Sequence, residues 1–551
     1  MNQQSKIAQG TLGESRPVLI IGAGPTGMTA AMELARFGVP VRLIDKMPTP
    51  STTSRALAVQ ARTLELLEQR GLTQQMLQVG NRGTAATLYS DSKRLGRIEL
   101  ANIPSRYNYI LLISQAETER LLREHLAQQG VVIERGTELV AFSQIESASN
   151  LGKNAGVRTV LRNQAGQLEE LDAAYAISAE GAHSLMRRTL NLEFKGKSLP
   201  QRYAVADLYL DSDLPDNELS IFLTSHGFLA VFPMGNRHFR FIASDTDQQA
   251  DATSEPTLAE LQRLYDTIAH RPGQLHDLTW SSRFYINSRM LDTLRERRIF
   301  FGGDSAHIHS PAGGQGMNTG IQDMIDLGWK LALVWHGKAA PELLDTYAEE
   351  RLPVIRQVVA RTETATDIFN STSKLVHQLL TLAAPVVLNA QFIQELSTGL
   401  VSEVTANYRA SALSRTRYLR GELRAGDRMP DFAIRAQLLT EVSAQSHEAT
   451  LQVLLDPACF TLFVVGDESK AALPYDWVEQ LRPWQDMLRI YHIAPASSSA
   501  EATAQFKQAF GGSQSLLLVR PDAYLGFVGG QHEFHSLLGW FQQWFPAQDV
   551  N

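Results

Sequence analysis

The hydrophobic pattern changes period from one region of this chain to the next. The unbroken apolar run at 18–21 has no polar face, as a parallel strand covered on both sides requires. A helix-period segment follows from Pro25 to Phe37; after Gly38 a second apolar strand, 39–44, ends in Asp45. Residues 61–67 repeat at helical spacing up to Gly71, and 110–114 is an apolar strand followed at Gln115 by a helix that stops before Gly130. This order predicts βαβ units and an α/β fold with a parallel sheet. Between 192 and 282 the period shortens towards two: 203–210, 228–234 and 238–243 read as strands of an antiparallel sheet inserted into the first domain. A further apolar strand at 299–301 enters a Pro/Gly loop at 302–318 and then an amphipathic helix reaching Lys330. Past residue 356 a helical stretch, 358–413, precedes strands at 461–465, 488–492 and 515–519 and a final helix from Glu533.

Two of these strand ends carry candidate chemistry. Gly22-Ala23-Gly24-Pro25-Thr26-Gly27 follows the first strand and opens the first helix, the arrangement of a dinucleotide turn. In that reading Gly22 permits the tight turn, Gly24 admits a pyrophosphate to the helix N-terminus, Gly27 lets helix and strand pack, and Asp45, with Lys46 beside it, meets ribose hydroxyls. The second is Gly302-Gly303-Asp304. It delivers a carboxylate to a sheet edge, where it can hold a hydroxyl such as a ribityl oxygen. Glycines 313, 314 and 316 then bring bare backbone amides to a helix N-terminus, so Gly316, Met317 and Asn318 are candidate backbone donors to a flat ligand. A second polar contact so far downstream of the first points to FAD as the cofactor. Gln115 can hydrogen-bond a heterocycle or a phosphate, or simply start its helix.

Composition narrows the classes. The 551 residues, 44% hydrophobic and with a net charge of −7, describe a globular chain without the basic field that nucleic acid or anionic lipid would need. The single cysteine, Cys459, excludes intrachain disulfides and thiolate metal sites, and no metal is expected. The most apolar late stretch, 376–396, carries His377, Pro385, Asn389, Gln391 and Gln394 and is a poor membrane span. The first 16 residues are polar, without a signal-peptide core. A cytoplasmic protein is expected.

In family order, the glycine triplet, Ser54-Arg55-Ala56 with Arg62-Thr63-Leu64-Glu65 after it, Gln115, the segment 179–187, Gly303-Asp304-Ser305-Ala306-His307 and 344–353 resemble the single-component FAD-dependent aromatic hydroxylases. These are the relatives of phenol hydroxylase, 3-(3-hydroxyphenyl)propionate hydroxylase and the polyketide hydroxylases. The resemblance spans about 17–355. It implies that NAD(P)H, as NADH or NADPH, reduces FAD, that O₂ adds at the flavin C4a, and that the hydroperoxide hydroxylates a phenolic or polycyclic aromatic small molecule. Baeyer–Villiger or ring-opening oxygenation by the same flavin, and a non-catalytic FAD-binding module, are the alternatives. The resemblance implies a FAD-binding domain at 17–191 and 283–355, the inserted substrate sheet at 192–282, a helical linker at 356–420 and a thioredoxin-like α/β domain at 421–551, behind a flexible N-terminus at 1–16. That last domain lacks Cys-x-x-Cys, which leaves a structural or dimer-related role.

Arg55 and Pro311 are the candidate catalytic residues on this resemblance, and Arg55 is also a cofactor contact. No general base is assigned. Glu180-Gly181 stands where the family has Asp-Gly, a pair that helps tie FAD and the pyridine nucleotide, and Arg187 keeps a basic position suited to an NADPH phosphate or to a solvated surface. Phe222, Phe228, Phe232 and Met234 are candidates for an apolar wall over a planar substrate, against the plainer reading of strand core. His226 and His238 have the titration range to assist phenol deprotonation, or are incidental. His307 and His309 resemble loop-stabilising residues.

Overall fold

A computed structural model of the chain describes residues 16–51, 56–90, 93–146, 155–245, 254–311, 313–369, 402–417, 421–439, 445–466, 474–496, 499–511 and 514–546. Val18–Ile21 pairs in parallel with Val41–Asp45 on one side and with Tyr175–Ser178 on the other. The sheet continues to Ile133–Arg135 past the former and to Ile299–Phe301 past the latter; only the outermost strand, Arg295–Glu296, runs antiparallel. Val18, Leu19 and Ile20 have no solvent exposure, which is why this strand has no polar face. Because one strand alone separates Val18–Ile21 from Ile299–Phe301, the two loops singled out in the sequence leave the same sheet edge side by side.

Helix Pro25–Arg36 lies directly against helix Gly316–Trp335. A Cβ at Gly320 or at Gly303 would collide with the Thr26 hydroxyl, and one at Gly328 with the Glu33 side chain. The glycines therefore allow near backbone contact, which fixes the start of the second helix relative to the first glycine turn.

The inserted sheet has eight strands and reaches beyond 192–282. Strand Gly273–Met290 runs past that boundary, His307–Ile308 adds to one edge, and Ala85–Ser90 and Lys93–Glu99 from the N-terminal region add to the other. A parallel pairing between Ala85–Ser90 and Glu218–Thr224 makes the junction. Helix Leu258–Ala269, started by a Thr257/Glu260 capping box, covers one face with Leu261, Tyr265 and Ile268 against Leu208, Phe222, Phe239 and Phe241.

The C-terminal region forms a separate seven-stranded mixed sheet, in which Phe460–Val465 and Leu488–Pro495 are parallel neighbours and Ser515–Val519 and Leu525–Gly530 follow antiparallel. Helix Phe534–Trp544 packs Trp540 and Phe541 on Phe460. The linker differs from the expected continuous helix: helix Thr346–Phe369 begins before 356, while described residues 402–417 are turns plus a two-residue strand, Arg415–Thr416, that joins the C-terminal sheet. The remainder of the expected linker lies outside the described residues.

A buried charge network joins this sheet to the first domain. Lys330 Nζ lies 2.7 Å from Asp326 and 2.5 Å from Glu350, and Arg520 lies 2.5 Å from Glu350 and 2.6 Å from Asp522. Trp329 Nε1 also donates to Asp522, at 3.1 Å. The three carboxylates come close enough to hold a metal, but with Lys330 and Arg520 among them they form an ion-pair network. Burial pushes the Asp326 carboxyl well up, while Glu350, against the same burial, is held down by Arg520 and Lys330. Among the described residues, no helix is long and apolar enough to cross a membrane.

Candidate active site

A cavity of about 520 Å³ opens where the two loops and the inserted sheet meet. Gly24, Pro25 and Thr26 line it from the first glycine turn, and Asp304, Pro311, Gly316 and Met317 from the second. Gln115 lines it from the start of its helix.

The first turn is shaped by steric need. Gly22 has φ +103°, and a Cβ there would strike the Ala179 carbonyl, while one on Gly27 would strike the Gly22 carbonyl. Gly24 differs, because a Cβ there would enter open space. Asp45 accepts from the Ala23 amide and the Met47 amide, both at 2.8 Å, so its carboxylate is held beside the turn. Lys46 is exposed next to it.

At the second turn, strand Ile299–Phe301 ends in a 3₁₀ turn, Gly303–Ser305, that leaves Asp304 exposed to the cavity. The first intrahelical bond of the following helix is Thr319 N–H to Gln315 O. Gly316, Met317 and Asn318 therefore carry the amides that precede the helical ladder. The Asn318 side chain faces inward: it donates to Ala58 O at 2.9 Å and to Gly314 O at 2.8 Å, and accepts from the Gln60 amide at 2.9 Å. Gln60, which no pattern in its neighbourhood singles out, adds a bond from Nε2 to Gly313 O at 2.7 Å.

Arg55 lies outside the described residues, but the chain just after it is tightly held. Ala56 exchanges bonds with Gln115, and its carbonyl accepts from Arg240 Nη1 at 3.2 Å. Arg240 is itself buried and paired with Asp207 through two bonds of 2.7 Å.

The sheet supplies the apolar wall, and strand alternation decides which residues form it. Phe228, Ala230 and Phe232 face the cavity, as do Leu219, Ile221, Ile242 and Ile286. Phe222 does not: it is 1% exposed on the opposite face, stacked on Tyr89 at 4.8 Å and packed under helix Leu258–Ala269. Met234 packs against the main core and is not among the lining residues. The two corrections have different causes: Phe222 has the other parity from Ile221, whereas Met234, of the same parity as Phe232, lies where the strand register shifts between Pro233 and Gly235.

The remaining sequence candidates separate cleanly. His226 is exposed in a hairpin and His238 stacks on Tyr209 at 4.9 Å, both off the cavity wall. His309 lines the cavity, its Nδ1 2.9 Å from Ser310 O, and burial pushes its ring down to about 4, so it is neutral. Arg187 turns inward, donating to Ser305 O at 2.9 Å and Ala182 O at 2.6 Å over the Phe194 ring. Glu180 accepts from the Ser178 and Ser184 hydroxyls and from the Leu185 amide, capping the short helix Leu185–Thr189.

Glu403 is a carboxyl that sequence reasoning missed. It is buried against helix Gly316–Trp335, accepting from Gln322 Nε2 and from Thr319 Oγ1. Burial raises it from 4.5 to about 7, with Arg351 opposing the shift. The folded protein thus keeps a proton that the unfolded chain has released, and this group lowers stability as pH rises from about 4.5 to 7. Glu403→Gln keeps an acceptor and a donor without the charge. It should gain about 1–3 kcal/mol over wild type at pH 8 and little at pH 4; a gap independent of pH in thermal unfolding refutes this.

The chain matches the FAD binding domain family over residues 15–362. It is 34% identical over 531 residues to 6-methylpretetramide 4-monooxygenase of Streptomyces rimosus, covering 93% of this chain and 90% of that protein. It is 32% identical to pentachlorophenol 4-monooxygenase of Sphingobium chlorophenolicum, over 75% of each. Among solved structures, OxyS anhydrotetracycline hydroxylase from Streptomyces rimosus superposes with a TM-score of 0.75 at 26% identity, over 96% of this chain and 99% of that one.

Proposed function

This chain belongs to the FAD binding domain family and is an FAD-dependent aromatic monooxygenase; from that premise we propose that it hydroxylates a flat, polycyclic phenol, using NAD(P)H and O₂. The observation that carries the substrate reading is the cavity that runs from Asp304 and Gly24 to a broad wall of Leu88, Leu219, Ile221, Phe228, Phe232 and Ile242. A wall of this kind buries a fused ring system and supplies little to fix a small charged one. The names of the relatives that the chain covers almost end to end agree: 6-methylpretetramide and anhydrotetracycline stand in two of them.

The residues fit FAD on their own geometry. The open space at Gly24 leaves room for a diphosphate at the N-terminus of helix Pro25–Arg36. Asp45 would take the ribose and Asp304 the ribityl hydroxyls, while the amides of Gly316, Met317 and Asn318 would face the pyrimidine edge with the positive end of their helix behind them. When bound, FAD supplies the electrons drawn from NAD(P)H and the oxygen activation. The chain's part is positional. Asn318 and Gln60 hold the 313–318 loop against the Ala58 strand, Gln115 and Arg240 hold Ala56, and the apolar wall would keep water from the reacting ring. His309, neutral, adds no positive charge near that helix terminus.

We read the C-terminal unit as a thioredoxin-like domain with a structural role. The parallel pair Phe460–Val465 and Leu488–Pro495, flanked by the antiparallel Ser515–Val519 and Leu525–Gly530, supports that reading, and the buried network at Arg520 supports the role.

Anaerobic mixing with NADH or NADPH tests the function. The flavin should bleach faster with a polycyclic phenol present, and admitting O₂ should yield product heavier by one oxygen. Hydroxylation only of single-ring phenols, or peroxide with every ligand, overturns the substrate reading.

A further inference from the structure

We propose that Asp323 is a positioning residue for the Asp304 turn: its buried carboxylate ties the Gly303 amide and the His307 ring to Arg351, and so sets where Asp304 meets the cofactor. The inference rests on the FAD reading above.

Strand Ile299–Phe301 ends just before this turn, and Gly302 N–H to Ser178 O, at 3.4 Å, continues its ladder by one bond. Gly303 follows in the left-handed region at φ +57°, and its amide is buried in a region closed to water. A donor so placed needs a partner from elsewhere. Asp323 supplies it from the middle of helix Gly316–Trp335, accepting from Gly303 N–H at 3.0 Å through Oδ2. The same oxygen lies 2.7 Å from His307 Nε2, which makes that nitrogen the ring's donor. One carboxylate oxygen thus binds both sides of Asp304, one residue before it and three after it.

The other oxygen, Oδ1, accepts from Arg351 Nε at 2.8 Å. Arg351 also donates to the Thr319 carbonyl at 3.3 Å and to Tyr408 Oη at 2.9 Å, and Tyr408 packs on Tyr524 of the C-terminal sheet with ring centres 4.1 Å apart. Tyr347 Oη, from the helix that carries Arg351, donates to Phe301 O at 2.7 Å. The strand end is therefore braced from two helices. Asp323 and Arg351 have no solvent exposure, and although burial works against ionisation, His307 and Arg351 hold the Asp323 carboxyl down to about 2, so the tie persists across the working pH range.

Asp323→Asn keeps the shape and removes the charge that gathers these donors. In the full chain it should raise the FAD Kd at least tenfold, measured by flavin fluorescence on titrating apoprotein. At saturating FAD, kcat should return to within about twofold of wild type, with the KM values for NAD(P)H and the aromatic substrate unchanged. Rescue by added cofactor reads positioning when the apoprotein is folded at the assay temperature, checked by circular dichroism, because FAD binding also restores an unfolded fraction by mass action. If Asp323→Asn does not fold, His307→Leu, which spares the Arg351 pair, carries the same expectation at about threefold or more. A folded variant with wild-type FAD affinity overturns the proposal while Asp304→Ala still loses flavin; if Asp304→Ala also keeps wild-type affinity, it is the FAD reading that fails.

Discussion

Asp304→Ala should give a folded protein that purifies largely colourless. The turn keeps its shape without this carboxylate, because Ser305 Oγ donates to Ser178 O at 2.5 Å and Gly303 N–H to Asp323 at 3.0 Å. What is lost is an acceptor at the cavity wall. A hydrogen bond to a charged group contributes about 1.5–3 kcal/mol, so the FAD Kd should rise by about ten- to a hundredfold or more. Flavin titration by fluorescence quenching decides the matter, and an unchanged Kd would mean that Asp304 is not a cofactor contact.

The second large effect is expected far from the cavity. Arg520→Met should destabilise the folded chain by about 3–5 kcal/mol, the cost of leaving buried charge without its partner. Arg520 is fully buried and binds Glu350 and Asp522, and its guanidinium lies 5.6 Å from the centre of the Trp329 ring. Removing it leaves those carboxylates facing each other beside Lys330. Arg120 is the useful contrast: it also contacts two carboxylates, Glu117 and Glu124, but on an exposed helix face, and its loss should cost less than about 1 kcal/mol. Chemical denaturation of both variants makes the comparison. Equal and small effects would show that the C-terminal sheet is not held through this network.

How much of this was legible in the sequence depends on the range of the interactions. The glycine turn at 22–27 and the strand, carboxylate and helix of 299–335 are local: steric demands at Gly22 and a strand running into a helix leave their mark within a few residues. That both turns share one sheet edge is seen in the strand order of the structure, where the α/β expectation holds. The face of each strand was less visible. Phe222 and Phe228 are equal as apolar strand residues, and only the pairing of Leu223 with Phe228 and the position of helix Leu258–Ala269 separate core from cavity. The added strands Ala85–Ser90 and Lys93–Glu99 reach the sheet through a parallel pairing with a segment more than a hundred residues later, which leaves no local trace. Gln60, Arg240, Asp323 and Glu403 were missed for the same reason. Each is defined by a partner from another element, and a buried polar side chain has no period.

The two-faced sheet has a consequence for how such a protein can diverge. Along Gly227–Gly235, Leu229 and Val231 belong to the packed interior, while Phe228, Ala230 and Phe232 belong to the cavity. Every second position can thus be rewritten for a different ring system while the intervening positions continue to hold the domain together. A combinatorial library confined to 228, 230, 232 and 242 should therefore yield mostly foldable proteins with shifted preferences, whereas the same number of changes placed one residue along should yield mostly aggregates.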